Sequence, residues 1–162
     1  MTLEVRALSS SEVPLVEAFW RAAPEYWLLA EGACDASRKA HEFFTDAPPG
    51  ADVERSHRLG LMLDGQLSGL AELAFGFPSP PEAFLGLLVL GRWAQGRGHG
   101  RRLLAHVEAL ARAAGSTTLF LAVLDANPRG RAFWEREGFR TTGVRRFDAT
   151  HGQWLERLGK PL

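Results

Sequence analysis

The stretch Gln95-Gly96-Arg97-Gly98-His99-Gly100 decides how this 162-residue sequence is interpreted. It follows a continuous apolar run, residues 83–90, and it precedes a segment whose apolar residues recur at helical spacing. Glycines let the backbone turn sharply and present its N–H groups outward, next to the unpaired amides of a helix's first turn. We therefore expect a buried strand, an anion-binding loop and an amphipathic helix, in that order.

Basic residues surround this loop. No acidic residue lies between Glu82 and Glu108. The same interval contains Arg92, Arg97, Arg101 and Arg102. These arginines either add charge to an anion site or form a solvated basic face. The loop is not a P-loop, because no Gly-Lys-Ser/Thr follows it, and its glycines do not have the spacing of a dinucleotide-binding fingerprint.

The rest of the chain predicts strands and helices of one α/β (α+β) domain that spans residues 1–162, because this length suits a single core. Asp64-Gly65 predicts a tight hairpin turn between two strands, and Gly115 a helix end. The predicted strands are residues 3–8, 58–63, 66–75, 83–90, 117–123, a strand from 139, and 154–158. The predicted helices start near Val13, at Asp35 (to Phe44), after Gly100 (to Ala114) and at Pro128 (to Glu137).

Composition excludes several classes of protein. The chain carries 19 basic and 19 acidic side chains, so no net field favours nucleic acid or an anionic membrane surface. No apolar run approaches the roughly 20 residues of a membrane-spanning helix. Cys34 is the only cysteine, which predicts a reducing, cytoplasmic setting. The histidines show no zinc-type pairing, so we expect no metal site.

Two motifs resemble those of the GCN5-related N-acetyltransferases (GNAT). The family's main motif, Gln/Arg-x-x-Gly-x-Gly/Ala, is matched by Gln95, Gly98 and Gly100. The family's central strand and second motif are matched by Leu87-Leu88-Val89-Leu90, Asn127, Ala132-Phe133-Trp134 and Gly138-Phe139. This resemblance implies a mixed, mostly antiparallel central sheet with a splayed central strand and helices on both faces. It also implies transfer of an acetyl group from acetyl-CoA to a primary amine, by direct attack in a ternary complex.

The resemblance also implies which residues bind the cofactor. Backbone groups near Leu88 and Leu90 would pair with the pantetheine arm, and the loop would hold the pyrophosphate. The full set is Leu88, Val89, Leu90, Gln95, Gly96, Arg97, Gly98, His99, Gly100, Arg101, Asn127, Phe133 and Trp134. Other interpretations stay open: Asn127 also suits a helix start, and Phe133 and Trp134 also suit a core.

Trp134 departs from the family's pattern. Many relatives have Tyr there, whose hydroxyl can protonate the departing thiolate, whereas Trp has no comparably acidic proton. The only tyrosine, Tyr26, is distant in sequence. Water or another group protonates the thiolate, or the protein is a CoA-binding sensor module without turnover. A third alternative is a structural or interaction domain with the same fold.

The amine must lose a proton, and Glu72 is the main candidate general base because its neighbours in sequence are apolar, with Glu82 and His57 as secondary candidates. The alternative is a carboxylate on the exposed side of a strand. Tyr26, Trp27 and Glu31 are candidates for one wall of the acceptor pocket, although such aromatics commonly serve the core. The sequence does not identify the acceptor, a small-molecule or peptide amine, and a homodimer is an expectation from the family alone.

Overall fold

The computed structural model describes all residues, 1–162, as seven strands and five helices. The strands are β1 (Leu3–Ala7), β2 (His57–Leu63), β3 (Gln66–Phe75), β4 (Ala83–Leu90), β5 (Thr118–Leu124), β6 (Arg140–Asp148) and β7 (Gln153–Pro161). The helices are α1 (Val13–Ala22), α2 (Glu25–Glu31), α3 (Ala36–Thr45), α4 (His99–Ala113) and α5 (Pro128–Arg136).

One sheet contains every strand, in the order β1-β2-β3-β4-β5-β7-β6. All neighbouring pairs are antiparallel except β4 and β5, which are parallel. A parallel pair needs a long crossover, and α4 provides it. The mixed, mostly antiparallel sheet that the sequence predicted is confirmed.

Helices cover both faces of the sheet, each over its own apolar cluster. One cluster joins α4 and α5 to strand residues such as Leu73, Leu85 and Leu121. The other joins α1 and α3 to Met62, Leu70 and other residues of the opposite face. Each helix turns an apolar stripe to the sheet, so the two clusters together fix the sheet between two helical layers.

The central strand β4 is interrupted at Gly86. Leu85 pairs with Leu73 and Leu87 pairs with Glu72, so Gly86 has no partner on β3 and forms a bulge. The extra residue reverses the alternation of side chains along β4. Leu85 therefore packs under α4 and α5, whereas Leu87 packs against the α1 and α3 side.

The same strand separates from its other neighbour. β4 and β5 pair only over residues 83–85 and 119–121, and beyond them the two strands diverge. A gap therefore opens between them, as the predicted splayed central strand requires.

Most elements lie close to their predicted positions, with boundary differences of a few residues. The exception is α2, which the sequence did not predict. It begins after Pro24 and ends at Gly32, whose φ of 77° is left-handed. Seven residues with several large apolar side chains give too few turns to show a helical period.

Candidate active site

A cleft of about 700 Å³ occupies the gap between β4 and β5 and extends to the start of α4. Its lining includes residues 85–90 of β4, 121–124 of β5, the glycine loop and part of α5. Gly91 N donates to Ser68 O on β3. Because backbone directions alternate along an antiparallel strand, Leu88 and Leu90 point their N–H and C=O groups into the gap.

The glycine loop presents a run of free amides. No backbone N–H group from Gly96 to Arg101 has an acceptor in the protein; the first bonded amide of α4 is that of Arg102, which donates to Gly98 O. Gly96 and Gly98 have φ values of 76° and 81°, and a Cβ on either would meet nothing within 4 Å. Left-handed glycines followed by unpaired helix amides form a concave anion site, which the positive end of the helix dipole reinforces.

Gln95 and Arg97 hold this loop in place. Gln95 Nε2 donates to Leu90 O at 3.0 Å, so this carbonyl is engaged within the protein. Arg97 donates to Trp93 O at 2.6 Å and does not line the cleft. Leu88 and Leu90 both point their backbone groups into the gap. Because Gln95 occupies Leu90 O, only Leu88 keeps both its N–H and its C=O group free of these side chains.

Arginines from three elements line the mouth of the cleft. Arg92 contacts Glu25 at 3.1 Å, and Arg101 contacts Glu137 at 3.6 Å. The helix α5 contributes two further arginines, Arg129 and Arg136, which the sequence analysis did not select. They are seven residues apart and therefore lie on one face of α5, a spacing that could have identified them.

The start of α5 closes the cleft on the β5 side. Asn127 Oδ1 accepts from Gly130 N at 3.0 Å and caps the helix, while its side chain also lines the cleft. Phe133 and Trp134 line the cleft as well. Trp134 is 9% exposed and packs edge-on against Phe133 and Phe139. Asn127 therefore both caps α5 and lines the cleft, and Trp134 both packs in the core and lines the cleft.

His99 is the first residue of α4 and lies on the lining with only 3% of its surface exposed. Neither ring nitrogen has a hydrogen-bond partner in the protein.

Glu72 lies on β3 beside the bulge, with its Oε2 atom 3.4 Å from the position a Cβ of Gly86 would occupy. Burial raises the pKa of Glu72 to about 8, and the nearby Arg58 opposes this shift. Arg58 donates to Phe43 O at 2.8 Å and to Asp46 O, and its Nη1 atom lies 3.4 Å from Glu72 Oε1. A carboxyl group held in this way exchanges a proton near neutral pH.

Of the three predicted acceptor-pocket residues, only Tyr26 lines the first cleft. Burial, with Glu31 and Glu72 nearby, raises the pKa of Tyr26 to about 12. Trp27 instead packs on Trp20 and beneath the Lys39 ammonium. Glu31 forms an ion pair with Lys39 at 2.9 Å, and neither Trp27 nor Glu31 lines either of the two clefts.

A second cleft, of about 580 Å³, lies on the other side of the gap. Its walls are the loop after α3, the start of β2, the end of β3, the side chains Phe77 and Phe84, and the β6–β7 hairpin. Glu72 and Arg58 lie on its lining. Gly86 and Ala122, the first residues after β4 and β5 diverge, line both clefts. The two clefts therefore meet where the strands separate.

The first cleft fits acetyl-CoA. The unpaired amides of residues 96–101 and the surrounding arginines suit a diphosphate, and the unpaired edge of β4 at Leu88 suits an amide-bearing arm. A parallel pair that splays beside a glycine-rich helix start is also what the resemblance to the GNAT motifs implied. No three His, Cys, Asp or Glu side chains are grouped so as to hold a metal ion.

Comparisons with known proteins agree with this class. The family model for the acetyltransferase (GNAT) family matches residues 14–139. An acetyltransferase from Thermus thermophilus is 27% identical, with 100% of this chain and 98% of that chain covered and a TM-score of 0.76. A GCN5-related N-acetyltransferase from Kribbella flavida is 25% identical, with 99% and 98% covered and a TM-score of 0.73.

A more distant structure, the PaiA N-acetyltransferase from Thermoplasma acidophilum in complex with coenzyme A, is 19% identical over 100% of both chains, with a TM-score of 0.72. The chain belongs to the acetyltransferase (GNAT) family. It is an acetyl-CoA-dependent N-acetyltransferase, as the sequence predicted. No helix combines the length and the hydropathy that crossing a membrane demands.

Proposed function

We propose that the protein acetylates a primary amine, with acetyl-CoA in the first cleft, the acceptor in the second, and Glu72 as the general base. The observation that carries this proposal is the meeting of the two clefts at Gly86 and Ala122, beside the Glu72 carboxyl group. Acetyl-CoA would supply an acetyl group activated as a thioester. In the ternary complex the amine nitrogen forms the C–N bond directly, the C–S bond breaks, and CoA leaves as a thiolate that takes up a proton.

The residues of the loop hold the cofactor in this proposal. The amides of Gly96 to Arg101 bind the diphosphate, and Arg92, Arg101, Arg129 and Arg136 add positive charge at the mouth. Leu88 offers its backbone N–H and C=O groups to the pantetheine arm, and Val89 and Leu90 line the cleft beside it. Asn127, Phe133 and Trp134 form the wall on the α5 side.

Glu72 accepts the proton that the amine loses. The pKa of Glu72 is about 8, so its carboxyl group is ionised in part of the molecules at neutral pH and in most of them above pH 8. Tyr26 keeps its phenolic proton throughout this range, because its pKa is raised to about 12. It is the only phenol in the chain and lines the first cleft, so it is the candidate hydrogen-bond donor in place of the acidic proton that Trp134 lacks.

A titration with a matched pair of variants tests the cofactor site. Gly98 at the start of α4 and Gly115 just after its end have φ values of 81° and 83°, and a Cβ on either meets nothing within 4 Å. Gly98→Leu and Gly115→Leu therefore carry equal backbone strain, but only the first fills the amide cradle. We expect calorimetry to show acetyl-CoA binding by wild type and Gly115→Leu, and its loss in Gly98→Leu. Equal binding of acetyl-CoA by both variants would mean that the glycine loop does not bind the cofactor.

Turnover with a panel of amines tests the base. We expect Glu72→Gln to lower kcat/KM by about 10²-fold or more, and to abolish the rise in kcat/KM with a midpoint near pH 8. A Glu82→Gln variant, altered in the loop before β4, serves as the control and should keep the wild-type profile. A profile unchanged in Glu72→Gln would show that the amine loses its proton elsewhere.

We also propose a cytoplasmic protein, in keeping with the single free cysteine, Cys34, whose pKa burial raises. A homodimer remains a proposal from the family. Light scattering at several concentrations tests it.

A further inference from the structure

The β6–β7 hairpin forms one wall of the second cleft. Val144 and Arg146 on β6, and Leu155 and Arg157 on β7, all line the cleft. On each strand the two residues are two positions apart, as expected for side chains on one face of a sheet. The hairpin therefore presents two guanidinium groups and two aliphatic side chains to the acceptor.

These two guanidinium groups have no carboxylate partner. Arg146 and Arg157 take part in no ion pair, and Arg157 lies over the Phe77 ring with its Cζ atom 5.1 Å from the ring centre. Their neighbour Arg145 points to the opposite side, where it contacts Asp125 at 2.6 Å and Glu156 at 3.9 Å. Of these three arginines, only Arg145, which faces away from the cleft, forms ion pairs, and Arg146 and Arg157 form none.

The remaining charged groups of the cleft lie on its other walls. Arg58 is occupied by two backbone carbonyls and by Glu72. Asp46 and Glu72 provide the only carboxyl groups of the lining, and burial raises the pKa of both. The carboxyl groups of the cleft thus lie on the walls that contain Asp46 and Glu72, next to Arg58, and the arginines without an ion pair lie along the hairpin.

We infer that the acceptor is a small zwitterion, an α-amino acid or a similar amino carboxylate, an inference that rests on the proposed function. Its ammonium group lies toward Glu72 at the gap, and its carboxylate contacts Arg146 and Arg157. Guanidinium groups bind carboxylates through paired, charge-assisted hydrogen bonds. Phe77, Phe84 and Leu155 make the lining favour an apolar side chain. A polyamine would instead bring several positive charges to a wall of free arginines.

Matched acceptors test this inference. Phenylalanine, phenylalanine amide and phenethylamine share one apolar group and differ in the carboxylate; leucine, leucine amide and isoamylamine form a second set. Rates are compared as kcat/KM for the unprotonated amine, which corrects for differences in the fraction of each acceptor that is unprotonated. We expect the amino acid to exceed the amide and the decarboxylated amine by about 10- to 100-fold, the range for a charged hydrogen-bonded contact, mainly through a lower KM.

Variants then assign the preference to the hairpin. Arg146→Gln and Arg157→Gln should each reduce the ratio of amino acid to decarboxylated amine by about tenfold. Arg145→Gln, on the same strand but facing away, is the control and should keep the wild-type ratio. Thermal unfolding of all three variants verifies that each is folded.

The failures are distinguishable. If the amide or the decarboxylated amine is the better acceptor, the zwitterion inference is overturned while the N-acetyltransferase activity stands. If wild type binds acetyl-CoA but acetylates no member of either set, this acceptor class is wrong and the cofactor site is unaffected. If wild type does not bind acetyl-CoA, the proposed function fails, and this inference with it.

Discussion

At the scale of single residues, Glu72 combines a functional hypothesis with a measurable effect on stability. Its pKa is about 8 in the folded protein and near its ordinary value of 4.5 in the unfolded chain. Between these two pH values the folded state holds a proton that the unfolded state has released. The free energy of unfolding therefore falls as pH rises from about 4.5 to 8, by at most about 1.4 kcal/mol per pH unit.

Glu72→Gln removes this contribution. Urea unfolding at several pH values should show a smaller fall in the variant than in wild type, with the difference growing up to about pH 8 and then staying constant. Equal pH dependence in both proteins would mean that the carboxyl group ionises at its ordinary pKa and is not held neutral by burial.

Asn127 serves two purposes that substitution can separate. Its Oδ1 caps α5, and the residue also lines the first cleft, where its amide group could donate to the cofactor. Ser is also a good N-cap but lacks the amide donor, whereas Ala lacks both. We expect Asn127→Ala to cost about 1 kcal/mol of stability and Asn127→Ser much less.

Titration of the same two variants with acetyl-CoA tests whether the Asn127 side chain binds the cofactor. If the amide donor binds the cofactor, both variants lose affinity to a similar extent despite their different stabilities. If affinity instead follows stability, the cap is the whole role of Asn127.

At the scale of elements, the sequence predicted what depends on local pattern. The loop from Gln95 to Gly100 and the helix after it were identified because glycines and a helical apolar stripe are local signals. The hairpin at Asp64-Gly65 was predicted in the same way, and Asp64 does adopt a positive φ of 48°. The bulge at Gly86 was not predicted, because it arises from pairing between β3 and β4 and has no local signature.

The acceptor side depends even more on pairing over long distances. Glu72 was identified from its apolar neighbours, but its partner Arg58 and the facing residues Arg146 and Arg157 come from three other strands. Trp27 and Glu31 were expected near the acceptor because of their residue types. Their actual contacts, with Trp20 of α1 and Lys39 of α3, follow from how α2 packs beside these two helices.

The bulge gives a prediction at this scale. Gly86 lies where the clefts meet, and a Cβ there would be 3.4 Å from Glu72 Oε2 in otherwise open surroundings. Gly86→Val therefore puts a branched side chain between amine and base without requiring a left-handed backbone. We expect kcat to fall by about tenfold or more, since small displacements at the reacting atoms are costly.

Calorimetric affinity for acetyl-CoA is the control in that experiment, because Gly86 lines the acetyl-CoA cleft as well as the second cleft, whereas the glycine loop lies elsewhere. If affinity for acetyl-CoA is retained and turnover is lost, the side chain introduced by Gly86→Val blocks the reaction where the two clefts meet. Retained turnover would mean that the acceptor reaches the cofactor by another path.

At the scale of the whole molecule, one sheet joins the two ends of the chain, and we propose that residues 1–162 form a single domain. The β1–β4 part and the β5–β7–β6 part are joined within the sheet only by the three residue pairs of β4 and β5. Beyond those pairs, residues 86–90 and 122–124 face the gap instead of each other. The sheet is therefore weakest at the place where the cofactor is expected to bind.

Hydrogen exchange measured with and without acetyl-CoA tests this arrangement. Ligand bound in the gap bridges both parts of the sheet, and at about 100 times its dissociation constant it stabilises the folded state by about 2.7 kcal/mol. We expect slower exchange at residues 86–90, 96–101 and 122–124. The pairing of β1 with β2, which lies at the far edge of the sheet, should show only the smaller change that follows from global stability. Uniform slowing across all strands would mean that all of them exchange through one global opening, and that the divergence of β4 and β5 does not create a separately weak region of the sheet.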